Sequence, residues 1–144
     1  MNELSKYFTW KEALTLPQWQ AQHNPSVEEK SNIQRTALVM DRIRKLIGAS
    51  VHVECWIRPV LNCPGHVQHG EDYNEHIGGA LKSAHKVGLA VDFTVKHRSC
   101  DVIREILEPK LKSLGIRMEN LPGSCWVHID LKPVSDERFR YFKP

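Results

Sequence analysis

Apolar residues recur at Ile33, Ala37, Met40, Ile43 and Ile47, the spacing of one face of a helix. Ser26 and Glu29, three residues apart, make a capping-box pair ahead of that run. Gly48 follows it as a stop, so the pattern predicts a helix from Ser26 to Gly48. Three later segments alternate with period two instead. One side of them carries Val51, Val53, Cys55 and Ile57, then Leu89, Val91, Phe93 and Val95, then Cys125, Val127, Ile129 and Leu131. Such alternation predicts half-buried strands whose apolar sides form a core. The run "CDVIREILEPKLKSLG" reads as a helix ending at Gly115 and interrupted near Pro109, which cannot donate a backbone hydrogen bond. "IRMENL" reads as a further strand, and the tail "ERFRYFKP" as an edge strand. The opening "LSKYFTWKEALTLPQW" reads as an arm or short helix, and residues 60–82 as a long loop rich in Gly and His. The fold class expected is α+β, with a small, mainly antiparallel sheet covered by helices on one face. Residues 1–144 are expected to form one domain, with 1–25 as an arm packed on it.

The other side of the three strands changes the picture. It carries His52, Glu54, Trp56 and Arg58; Ala90, Asp92 and Thr94; Trp126, His128 and Asp130. A solvated face normally shows Thr, Lys, Ser and Glu, whereas this set resembles the floor of a site. Asp92 lies among Leu89, Ala90, Val91 and Phe93, where an uncompensated charge costs about several kcal/mol. A cation, a hydrogen-bond partner or a metal ion must hold it. His85, seven residues upstream, and His128 complete a two-histidine, one-carboxylate set of the kind zinc accepts while leaving a position for water. Gly88 allows a tight turn between His85 and the strand, and Ser83 is placed to orient a ligand. Taken singly, each of these signals is as ordinary as a satisfied core histidine.

Composition narrows the classes. The 144 residues are 41% hydrophobic and 26% charged with a net charge of +3, a balance suited to a globular chain. Lys and Arg are scattered rather than clustered, which argues against a nucleic-acid partner. No apolar run is long enough to span a bilayer. "MNELSKYFTW" lacks the form of a signal peptide, so the product is expected to be cytoplasmic as synthesised; a monomer is expected. The four cysteines form no CxxC pair and are expected to be reduced. Cys63, His66, His69 and His76 in the long loop fit no common structural-zinc spacing.

Taken together, "SAHKVGLAVDF" and "WVHIDL" resemble the signature of the zinc D,D-peptidases. That family includes D-alanyl-D-alanine carboxypeptidases and phage L-alanyl-D-glutamate endolysins, and it shares its fold with the hedgehog signalling domain. Ser83, His85, Gly88, Ala90, Asp92 and His128 match its pattern. "YFTWKEAL", "CWIRPVLN" and "IGGALKSAH" extend the likeness over roughly residues 7 to 131. The resemblance implies one Zn2+ per chain on His85, Asp92 and His128. It also implies hydrolysis of an amide bond in peptidoglycan stem peptides, as a D,D- or L,D-carboxypeptidase or endopeptidase, with a phage-type lysin that reaches the cell wall after release as one form. Arg58 is expected to grip the substrate carboxylate or the developing oxyanion, with Asn62, Ser83 and Trp126 as further substrate contacts. The family's catalytic carboxylate often stands three residues before the last histidine, where this chain has Cys125. Strand parity turns Cys125 inward and Asp130 toward the site, so Asp130 is the expected acid/base, with Glu54 and Glu119 behind it. Trp56 is expected to line or plug the groove. The alternative is a catalytically silent zinc module of the same fold that binds cell-wall peptide or a protein partner.

Overall fold

The computed structural model describes residues 2–60, 73–80 and 82–144. Thr9 and Glu12 form a reciprocal cap on a short helix, α1 (Trp10–Leu14). A small hairpin, β1 (Thr15–Leu16) and β2 (Ala21–Gln22), follows. The long helix α2 (Val27–Ile47) begins at the expected capping box, where the Glu29 amide donates to Ser26 Oγ at 3.2 Å and the Ser26 amide donates to Glu29 Oε1 at 2.8 Å. It ends at Gly48, whose φ of 70° is left-handed. Its five periodic apolar residues are buried, each contributing about 1.5–3 kcal/mol for large side chains. Strand β3 (Val51–Cys55), helix α3 (Tyr73–His76), a 3-10 turn at Ala84–Val87 and strand β4 (Ala90–Val95) come next. Pro109 acts as expected: α4 (Cys100–Leu107) gives way to a 3-10 turn at Glu108–Lys110 before α5 (Leu111–Leu114). Strands β5 (Arg117–Glu119), β6 (Val127–Asp130) and β7 (Tyr141–Phe142) complete the chain.

The main sheet has the order β3-β4-β6-β5-β7. All its pairings are antiparallel except β5 with β7. The tail thus supplies an edge strand, but a parallel one. Val91 and Phe93 on β4 and Val127 and Ile129 on β6 share one core with Ile33, Ala37 and Met40 of α2 and Ile103 and Leu107 of α4. Trp10 and Trp19 pack against that core. Among the described residues, no helix is long and apolar enough to cross a membrane.

Two expectations based on strict alternation fail, each for a local reason. Val53 pairs with Phe93, but the next partner of Asp92 is Cys55, because the register shifts between Val53 and Cys55. This bulge inserts one residue and reverses the parity beyond it. Cys55 therefore faces Asp92 instead of the core. Trp56, expected on the site face, is wholly buried, packs edge-on against Phe8 and donates from Nε1 to the Gly88 carbonyl at 3.2 Å. The second failure is at Cys125, which lies outside β6 and is exposed rather than buried.

Gly88 ties these parts together. It closes the 3-10 turn with φ +83°, and a Cβ there would stand 2.7 Å from Ile33 Cγ1. Its carbonyl also accepts from Thr36 Oγ1 of α2 at 3.0 Å. A Gly88→Ala variant should lose about 1–2 kcal/mol from the left-handed backbone alone, plus the cost of moving Ile33. Gly123 shares the conformation (φ +80°) with nothing within 4 Å of its Cβ direction, so Gly123→Ala isolates the backbone part. Urea unfolding of both variants should show Gly88→Ala clearly the less stable; equal midpoints would contradict the packing argument.

Candidate metal centre

His85 is presented by the Ala84–Val87 turn, whose first residue is capped when Ser83 Oγ accepts from the His85 amide at 3.2 Å. The Arg58 amide donates to the His85 carbonyl at 2.8 Å, so the turn is fastened to the segment leaving β3. Asp92 and His128 are direct partners across the β4–β6 pair. Two regular strands and one pinned turn thus bring together the three expected ligands.

Asp92 Oδ1 stands 3.1 Å from His85 Nε2 and 2.8 Å from His128 Nδ1. Its other oxygen, Oδ2, accepts from Arg58 Nη2 at 3.2 Å. The outer nitrogen of each ring is also held. His85 Nδ1 faces the Trp56 carbonyl at 2.7 Å, and His128 Nε2 faces Asp130 Oδ2 at 2.9 Å. Both outer partners are acceptors, so the outer nitrogens are the N–H donors in each neutral ring. The inner nitrogens of those neutral rings are then lone pairs directed at a carboxylate oxygen. That convergence requires a positive centre between them, either two protons or one cation. Two imidazoles and a carboxylate are donor types that zinc accepts, so the set fits zinc by its donor chemistry, while His128 stands outside the tight cluster of donors around His85 and Asp92.

The proton alternative is visible in the electrostatics. Burial disfavours the His85 imidazolium, but the Asp92 carboxylate outweighs it and raises the pKa to about 10. Burial likewise opposes the charged form of Asp92, yet the two imidazoles hold it well below the usual carboxylate range. His128 is raised against its burial by hydrogen bonds to Asp130 and Asp92. A metal entering this site displaces protons from the inner nitrogens.

Asp130 is fully engaged. Burial opposes its charge, but His128 and Arg117 lower its pKa to about 2. Arg117 makes a two-pronged contact, Nε to Oδ1 and Nη2 to Oδ2, both at 2.8 Å. The Lys132 amide also donates to Oδ1 at 3.1 Å. With His128 on Oδ2, all four lone-pair positions are used, and the side chain is 1% exposed. Arg117 lies over the Phe142 ring, 4.0 Å from its centroid, which fixes the guanidinium from the far side.

Cys55 is the site residue that alternation missed. Its sulfur and the donor atoms of His85 and Asp92 all lie within 4.8 Å of one another. Burial pushes the thiol up, but His85 and Arg58 beside it hold it below its ordinary value. Arg58 Nε donates to Cys55 Sγ at 3.4 Å. The neighbouring Trp56 was the available signal, since so large an apolar side chain on a polar face hints at a break in parity. Arg58 is bounded by Gly79, where a Cβ would clash with Asn74 Oδ1 and stand 2.9 Å from Arg58 Nη1.

The other expected residues divide. Ser83 caps the His85 turn, and Trp126 is exposed two residues before His128. Glu54 is exposed and accepts from Thr94 Oγ1 at 3.0 Å. Glu119 is half-buried, two residues along β5 from Arg117. Asn62, Cys63, His66 and His69 lie outside the described residues, while His76 packs against Trp19 and Tyr73. Metal analysis provides the test of the centre. Wild type should carry about one zinc per chain, His85→Ala very little, and Arg117→Ala should bind roughly 10–100-fold more weakly through the loosened Asp130–His128 support. Full zinc in His85→Ala would exclude this centre.

Comparison with known proteins assigns the chain to a family. A family model described as Peptidase M15 matches residues 7–130, a span that holds Arg58, His85, Asp92, His128 and Asp130. No curated protein or solved structure gives a match. The chain belongs to the M15 peptidases, a family of zinc metallopeptidases.

Proposed function

We propose that this chain hydrolyses an amide bond in peptidoglycan stem peptides, with His85, Asp92 and His128 as zinc ligands. The observation that carries the reading is the convergence of His85 Nε2 and His128 Nδ1 on one oxygen of Asp92. Bound there, zinc supplies Lewis acidity toward a carbonyl and a water acidified to a pKa of about 7 in well-tuned sites. The protein's own groups do the rest. The Trp56 carbonyl and Asp130 fix the tautomer and angle of the two rings. Arg58 neutralises Asp92 through Nη2, and its remaining N–H groups suit a substrate carboxylate or a carbonyl oxygen gaining charge. Trp126, 44% exposed, offers an apolar contact beside them.

The proton acceptor is better sought at Glu119 than at Asp130. Asp130 has no lone pair left for an incoming water and acts by positioning His128. The β5–β6 register pairs Arg117 with Asp130 and Met118 with Ile129, and one further step along it would bring Glu119 opposite His128. A half-buried carboxylate at that position can take a proton and return it to the leaving amine.

Digestion of whole peptidoglycan, followed by mass spectrometry of the fragments, tests the activity and identifies the bond. Cleavage should require metal and stop with a chelator or with His85→Ala. Zinc-loaded protein that binds stem peptides without cutting them would instead support the silent binding module, a reading favoured by the saturation of Asp130. Glu119→Gln should keep its zinc and lose about 10²–10⁴-fold in kcat. Asp130→Asn should first weaken zinc binding. The opposite pattern would return the acid/base role to Asp130.

A further inference from the structure

We propose that Cys55 is itself a metal ligand, a thiolate that shares His85 and Asp92 with the set completed by His128. The inference rests on the metal-centre reading above and extends it to a donor of a different chemical kind. Three observations support it. The β3 bulge sets Cys55 directly across from Asp92, so the thiol's place is fixed by backbone pairing. Its sulfur lies within 4.8 Å of donor atoms on both His85 and Asp92, and among the described residues this is the cluster of three donors that close together. Arg58 Nε points at the sulfur from 3.4 Å, a donor suited to a thiolate whenever it is off the metal.

His128 reaches Asp92 Oδ1 without belonging to that cluster. Asp92 and His85 therefore share one three-donor cluster with the sulfur, while His128 meets that cluster through Asp92. Thiolate is a strong zinc donor, and a site with four protein ligands is closed, whereas a catalytic one keeps a position for water. Cys55, His85 and Asp92 would hold a metal as three protein ligands, and Arg58 would accompany the thiolate when it is off the ion. Coordination requires the S–H proton to leave, and it passes to solvent as the metal–sulfur bond forms.

Cobalt reports this directly, because a cobalt–thiolate bond gives a near-ultraviolet charge-transfer band that nitrogen and oxygen ligands do not. The full chain is loaded with Co2+ alone, in wild type, Cys55→Ser and a Cys100→Ser, Cys125→Ser control. The band should appear in wild type and in the control, and vanish in Cys55→Ser while cobalt stays bound. Cobalt bound to wild type without the band overturns the thiolate ligand and leaves the His85–Asp92–His128 centre standing. A band that survives in Cys55→Ser assigns the sulfur elsewhere and also overturns it. Failure of wild type to bind cobalt at all removes the metal centre together with this inference. Should Cys55→Ser fail to fold, a triple variant Cys63→Ser, Cys100→Ser, Cys125→Ser decides the matter: a band kept there belongs to Cys55, the one cysteine left, and its loss with cobalt bound overturns the inference.

Discussion

A buried carboxylate is the constraint on which the arrangement depends. Asp92 is 6% exposed and sits on β4, an inner strand of the sheet, where its charge is tolerable only if fully compensated. Two imidazoles from different parts of the chain meet one of its oxygens, and a guanidinium meets the other. Each partner is itself supported: His85 by a backbone carbonyl, His128 by Asp130, and Asp130 in turn by Arg117. The polar network extends outward from Asp92 until it reaches groups that solvent or an aromatic ring can stabilise. Removing an inner member leaves a charge buried alone, whereas the outer members act through geometry.

The regular parts of this design were legible before any coordinates. The α2 helix announces itself through Ser26, Glu29 and Gly48, because capping and periodicity are local properties. Asp92, His128 and Asp130 were assigned to one face correctly because β4 and β6 are unbroken strands, in which parity is reliable. Cys55 and Trp56 were misassigned because a bulge is a tertiary accommodation that leaves no periodic trace. Cys125 failed because the strand begins at Val127, two residues later than its apolar pattern implied. The saturation of Asp130 was also hidden, since it depends on Arg117, a strand partner that the local sequence does not reveal.

The same bulge separates two kinds of work. On one side, Trp56 fills the core and holds the Gly88 carbonyl; on the other, the adjacent Cys55 faces Asp92. The Trp56 carbonyl meanwhile fixes the His85 ring. Two neighbouring residues thus join the hydrophobic interior to the polar site.

The carbonyl of Gly88 accepts from Thr36 on α2 and from Trp56 on the opposite wall. Neither contact involves a metal donor atom. The frame around His85 is consequently held by contacts of its own, and an ion bound there would meet ligands already positioned. Less of its binding free energy would go into ordering those ligands, and one divalent ion could replace another while these contacts persist.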